Sequence, residues 1–162
     1  EISACLVGSE MCIETAFQEV NGAFYQASQY GETAATTSYK APKGTSGWYL
    51  PSIGQWWDIF ENLGEAKGLA TLKDNETTSS NIAISLSGES VFENLNTCLK
   101  AASSSVDEFE SSKNYWSSSE HNRNNKGLVY AHSVSLTATS LTTTGATKTS
   151  NSNRRVRCVL SF

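Results

Sequence analysis

Gly47-Trp48-Tyr49-Leu50-Pro51-Ser52-Ile53-Gly54-Gln55-Trp56-Trp57-Asp58-Ile59-Phe60 is a strand-to-helix corner written into fourteen consecutive residues. Trp48 and Leu50 read as a short buried strand. Pro51 has no amide hydrogen to give to a central strand, so the strand is expected to stop there. Ser52 is a good N-cap, because its hydroxyl can accept a bond from a free amide of the first helical turn. Ile53, Trp56, Trp57, Phe60 and then Leu63 recur at helical spacing, with Gly64 placed to end the helix. Three of the four tryptophans of the chain fall inside this unit.

Outward from this corner, the N-terminal side reads as a strand near Ile2–Val7 and a helix over Cys12–Tyr30. That helix carries Ile13, Phe17, Val20, Phe24 and Ala27 on one stripe and is weakened locally by Gly22. Residues 31–46 read as a loop. On the C-terminal side, residues 66–80 are polar and irregular, and Ile82–Leu86 reads as a short strand. Glu89–Ala102 reads as a second amphipathic helix with Val91, Phe92, Leu95, Cys98 and Leu99 facing inward. Residues 103–114 connect.

From Tyr115 helical periodicity disappears. Tyr115–Ser119, Leu128–Leu136, Ser140–Thr144 and Arg155–Phe162 read as strands, separated by turn residues that include Asn122, Asn124, Asn125, Gly127 and Gly145. The expected class is α+β, with helices in the first two thirds and a small antiparallel sheet in the last third. No internal repeat or long linker divides residues 1–162, so one domain is expected. Trp48, Leu50, Trp56, Phe60 and Trp116 are expected to share its core.

Composition narrows the function classes. The 162 residues suffice for a domain with a real core, and 10% are aromatic, unlike a disordered chain. Only 17% are charged, so Ser, Thr and Asn carry the polarity, a mix suited to an extracellular β-rich surface. A net charge of -4 gives no ground for nonspecific nucleic-acid binding. No run of about 18 apolar residues is present to span a membrane. The chain does not begin with Met and shows no signal peptide, and it reads as the C-terminal part of a longer surface protein.

Cys5, Cys12, Cys98 and Cys158 form no CxxC pair and have no zinc-finger spacing. Two readings stand for them: disulfides in one of three connectivities, or, for Cys98 and Cys158, small buried hydrophobes.

The Trp48-Tyr49-Leu50-Pro51-Ser52 and Tyr115-Trp116-Ser117-Ser118 segments, followed by a terminal Val156-Arg157-Cys158-Val159-Leu160-Ser161-Phe162, resemble the C-type-lectin-like fold. More narrowly the chain resembles the bacterial branch found in the C-terminal domain of the Legionella collagen-like adhesin and in the Fibrobacter succinogenes major paralogous domains. Gut Bacteroidetes surface proteins and retroelement-diversified variable proteins carry similar segments. Cys158 departs from that pattern, where the family usually has proline. The resemblance implies that the first strand lies beside the last, and that the ligand surface follows the YWSSSE segment. It also implies a bacterial cell-surface or secreted location, and a host or microbial glycan or surface protein as partner. The calcium motifs of lectins of this fold (EPN, QPD, WND) are absent, so binding is expected without calcium.

The residues themselves point to the same stretch. Trp48, Trp56, Trp57 and Trp116 read as scaffold, and function is expected on the loops that the scaffold displays. His121, Asn122, Arg123, Asn124 and Asn125 combine amide and guanidinium groups able to bind sugars, sulfates or a protein. Against this stands a plain solvated hairpin turn. Tyr130 and His132 share one strand face and add a stacking platform if that face is exposed, or belong to the core if it is not.

The Thr-rich strands after Ser133 suit adaptable polar contacts or simply a solvent-facing sheet. Arg154, Arg155 and Arg157 either bind an anion or form salt bridges and cover aromatic side chains. No nucleophile, metal or dinucleotide motif is present, so no enzyme and no cofactor is expected. His121 and His132 sit on different elements, which argues against zinc, and Asp107, Glu108 and Glu110 read as a solvated group. The expected function is a non-catalytic adhesion domain. The alternatives are a structural or assembly module of a surface fibre or lipoprotein, and a diversified variable receptor-binding protein.

Overall fold

The computed structural model describes residues 22–34, 36–69, 81–86, 90–102, 107–121, 130–148 and 154–161. The expected first strand at Ile2–Val7, the first half of the Cys12–Tyr30 helix, and Cys5 and Cys12 lie outside the described residues. The elements are α1 (Ala23–Gln29), α2 (Ile53–Asn62), β1 (Ala83–Ser85), α3 (Val91–Ala102), β2 (Asn114–Glu120), β3 (Tyr130–Leu136), β4 (Ser140–Thr147) and β5 (Arg154–Arg155), with a 3-10 turn at Thr37–Tyr39. The class is α+β. The chain falls into two compact units, Pro51–Arg157 and a smaller one that joins Glu1–Leu50 to Cys158–Phe162.

The smaller unit contains α1, whose N-cap is Gly22. The strand expected at Trp48–Leu50 is reduced to one antiparallel bridge, Tyr49 to Val159. Each of these two amides donates to the other's carbonyl, at 3.1 and 2.9 Å. Ser46 also exchanges bonds with Ser161, both at 3.0 Å. Trp48 stands edge-on to Tyr30 at 5.3 Å, and Tyr30 stacks on Tyr39 at 5.6 Å. The Trp48 indole N–H donates to the Tyr39 carbonyl at 2.6 Å. Trp48 is therefore half-buried in its own aromatic cluster, and the expectation that it shares a core with Trp56 and Phe60 is corrected.

The larger unit carries a five-stranded sheet in the order β1-β4-β3-β2-β5. It is mixed, not antiparallel as expected, because β5 runs parallel to β2 through Asn114–Arg154 and Tyr115–Arg155. Of the closing strand expected over Arg155–Phe162, only Arg155 lies in this sheet among the described residues, β5 being Arg154–Arg155. The last third does not supply the whole sheet either, since β1 comes from between the two longer helices and pairs with β4. Tyr115 registers with Val134, and Val134 with Thr143, while Trp116 registers with Ser133, and Ser133 with Thr144. Side chains alternate across a strand, so these two rows face opposite ways. Tyr115 and Val134 join Ile53, Trp56, Trp57 and Phe60 of α2 and Val91 and Leu95 of α3 in one hydrophobic core. Trp116, 8% exposed, turns to the other face beneath the Arg154 guanidinium, 5.1 Å from its ring centroid. This corrects its expected place beside Trp56 and Phe60.

Ser52 caps α2 as read, and Gln55 completes a reciprocal capping box with it. Gly64 accepts no left-handed turn; that conformation falls on Glu65, with φ 58°. Gly64 is needed for space, because a Cβ there would meet the Phe60 carbonyl at 2.6 Å and Val91 Cγ1 at 2.7 Å. On α3 the expected inward Cys98 is an exposed free thiol, and Asn96 is buried instead. Its amide brackets Phe109: Nδ2 donates to the Phe109 carbonyl at 3.1 Å, and Oδ1 accepts the Phe109 N–H at 2.7 Å. This pins Phe109 against Trp56 and Tyr115. Among the described residues no helix is long and apolar enough to cross a membrane.

Candidate functional site

The far end of β2 is built by a run of serines. Between the pairs Trp116–Ser133 and Glu120–Ala131 the register shifts, so Ser117, Ser118 and Ser119 bulge opposite the single residue His132. The bulge turns toward the start of α2. Ser118 donates its amide to the Pro51 carbonyl at 2.9 Å, and Ser119 Oγ accepts the Ile53 amide at 2.9 Å. The Pro51-Ser52-Ile53 and Ser117-Ser118-Ser119 segments are thus two halves of one joint.

Beyond the joint, Glu120 Oε1 accepts from Lys148 Nζ at 2.6 Å. His121 donates its amide to the Tyr130 carbonyl at 3.1 Å, closing the base of the connection between β2 and β3. The His121 ring lies flat over Gly145: a Cβ on that residue would fall 2.6 Å from His121 Cγ and Nδ1. Gly145 is the cross-strand partner of His132, and the His121 and His132 ring centroids are 4.5 Å apart. The two histidines are 3% and 5% exposed. His132 Nδ1 has no hydrogen-bond partner among the described residues. Burial, and then the neighbouring His121, push the His132 pKa down from 6.5 to about 4.

Of the residues expected to form a ligand face, His121 and His132 are brought together but buried, His132 on the β3 face that also carries Val134 and Leu136. The expectation that His121 belongs to an exposed ligand face is corrected, and His132 follows the core alternative, so neither supplies the ligand face expected of them. Tyr130 is half-buried at its closing end. Asn122, Arg123, Asn124 and Asn125 lie outside the described residues. Sequence reasoning missed Gly145 and the serine bulge. The Gly145 turn reading failed because its role is to leave room for a ring 24 positions earlier in the chain. Arg155 pairs with Glu110 at 2.7 Å, and Arg157 lies over Phe109 at 4.7 Å while donating to the Asp107 and Glu108 carbonyls. Glu108 in turn pairs with Lys100 at 3.1 Å. Among the described residues no three His, Cys, Asp or Glu side chains converge as metal ligands would.

No protein-family model, no curated protein and no solved structure matches this chain.

Proposed function

We propose that this chain is a non-catalytic, C-type-lectin-like binding domain of a bacterial surface, which recognises a glycan or a protein through the polar stretch after its YWSSSE segment. The observation that supports this reading is the braced base of the β2–β3 connection. His121 bonds Tyr130 across it, its ring fills the space above Gly145, and the serine bulge ties the same strand end to α2. A polar segment mounted on so constrained a base loses less freedom on binding than one on a loose hinge. Asn122, Arg123, Asn124, Asn125 and Tyr130 are the contact residues in this reading.

Recognition by amides and a guanidinium needs no metal, so binding to host glycans or cells should survive EDTA. The Arg123→Ala, Tyr130→Ala double variant, shown to be folded by circular dichroism, should lose most of that adhesion. Undiminished adhesion by the folded variant would favour the structural-module reading over this one.

A further inference from the structure

The opposite end of β2 carries a different chemistry. Lys113, immediately before β2, and Arg154, Arg155 and Val156 along β5 line an open cleft of about 450 Å³. A volume of this order suits a small ligand, since such sites run from roughly 300 to 1,000 Å³. Three of the four lining residues are cationic. Among the described residues Lys113 forms no ion pair. Arg155 is held by Glu110 at 2.7 Å, with both side chains about half exposed, an arrangement that a competing anion can displace. Arg154 is fixed more firmly. Its Nε donates to Ser133 Oγ at 3.2 Å, and its guanidinium rests on Trp116. A guanidinium oriented in this way is prepared for an oxyanion, because little side-chain freedom remains to be lost on binding.

We infer that this cleft binds a compact oxyanion, the carboxylate or sulfate of an acidic sugar unit. Among the described lining residues Val156 alone is apolar, a lining that favours a charged ligand over the aromatic or aliphatic anchor of a protein partner. The site is independent of the loop reading above. Lys113 and His121 flank opposite ends of a seven-residue strand, about 20 Å long at the usual rise per residue.

The test is an NMR or calorimetric titration of the whole domain with glucuronic acid, glucose 6-sulfate, glucose, inorganic sulfate and a tetraglutamate peptide. Saturable binding of the two acidic sugars, and none of glucose, is expected. Lys113→Ala should weaken it by about three- to tenfold, the usual worth of one charge-assisted contact at a partly exposed site. Glu110→Gln should tighten it, because the competing carboxylate on Arg155 is removed. Opposite signs from two neighbouring substitutions would not arise from a general loss of structure.

Absence of saturable binding, indifference to Lys113→Ala, or weakening by Glu110→Gln would overturn the inference. So would sulfate binding as tightly as glucose 6-sulfate, or binding of the peptide in place of the sugars. Loss of adhesion in the Arg123, Tyr130 variant leaves these titrations unaffected, so the two proposals fail separately.

Discussion

At neutral pH the His132 ring is held uncharged, because burial strips it of water and the His121 ring lies 4.5 Å away. The sign of the resulting pH dependence follows from the direction of the shift. Above about 6.5 the ring is neutral in both the folded and the unfolded chain, and it contributes no pH dependence. As pH falls from 6.5 toward 4, the unfolded chain takes up the proton first, so the folded state loses ground. Urea denaturation at pH 7 and pH 4.5 should show a fall in stability that is smaller in His132→Gln than in the parent. Equal falls in both proteins would mean that other groups carry the acid response.

Among the elements, α2 is held at its N-terminus by two distant pieces of sequence. Ser52 Oγ accepts the Gln55 amide at 3.2 Å, Gln55 Oε1 accepts the Ser52 amide at 2.9 Å, and Ser119 Oγ accepts the Ile53 amide. A helix leaves its first four amides without intrahelical partners, and each one satisfied from outside stabilises it. Ser119→Ala should therefore cost about 1 kcal/mol, as an ordinary cap does, although Ser119 lies 66 positions from the amide it serves. Thermal unfolding checks this; a cost near zero would mean that water replaces the hydroxyl at no loss. The local half of this joint was legible in the sequence, because Pro51, Ser52 and the 3.6-residue stripe through Trp56 and Phe60 act on neighbours. The remote half was visible only as a recurring segment, since no local rule says that a serine bulge will bond a helix start. The same limit explains α3. Periodicity placed Val91 and Leu95 inward correctly, but it favoured Cys98 over Asn96, because a polar side chain is buried only when a partner such as the Phe109 backbone is waiting for it. His121 was misplaced for a related reason: a polar ring after a strand reads as exposed until Gly145 is seen to make room for it.

For the whole molecule, the question is how much of its stability each aromatic group carries. Trp56 is fully buried, stacks on Phe60 at 5.5 Å, and donates its indole N–H to the Trp116 carbonyl at 3.2 Å. It also touches Phe109 and Tyr115, so it joins α2, the segment pinned by Asn96, and the sheet. Trp56→Ala removes a large buried ring from the middle of that core and should cost about 3–5 kcal/mol, a large share of the stability of a marginally stable domain. Trp48 is the comparison. It belongs to the smaller unit, is half-buried, and contacts Tyr30 and the Tyr39 carbonyl, and Tyr39 is itself 46% exposed. Much of its ring keeps its water in the folded state, so less apolar area is lost from burial when it is truncated. Trp48→Ala should therefore cost less than half as much as Trp56→Ala. Chemical denaturation of the two variants, followed by circular dichroism, measures the ratio directly. Equal costs would mean that both tryptophans belong to one cooperative core and that the two clusters do not differ in their contribution to folding.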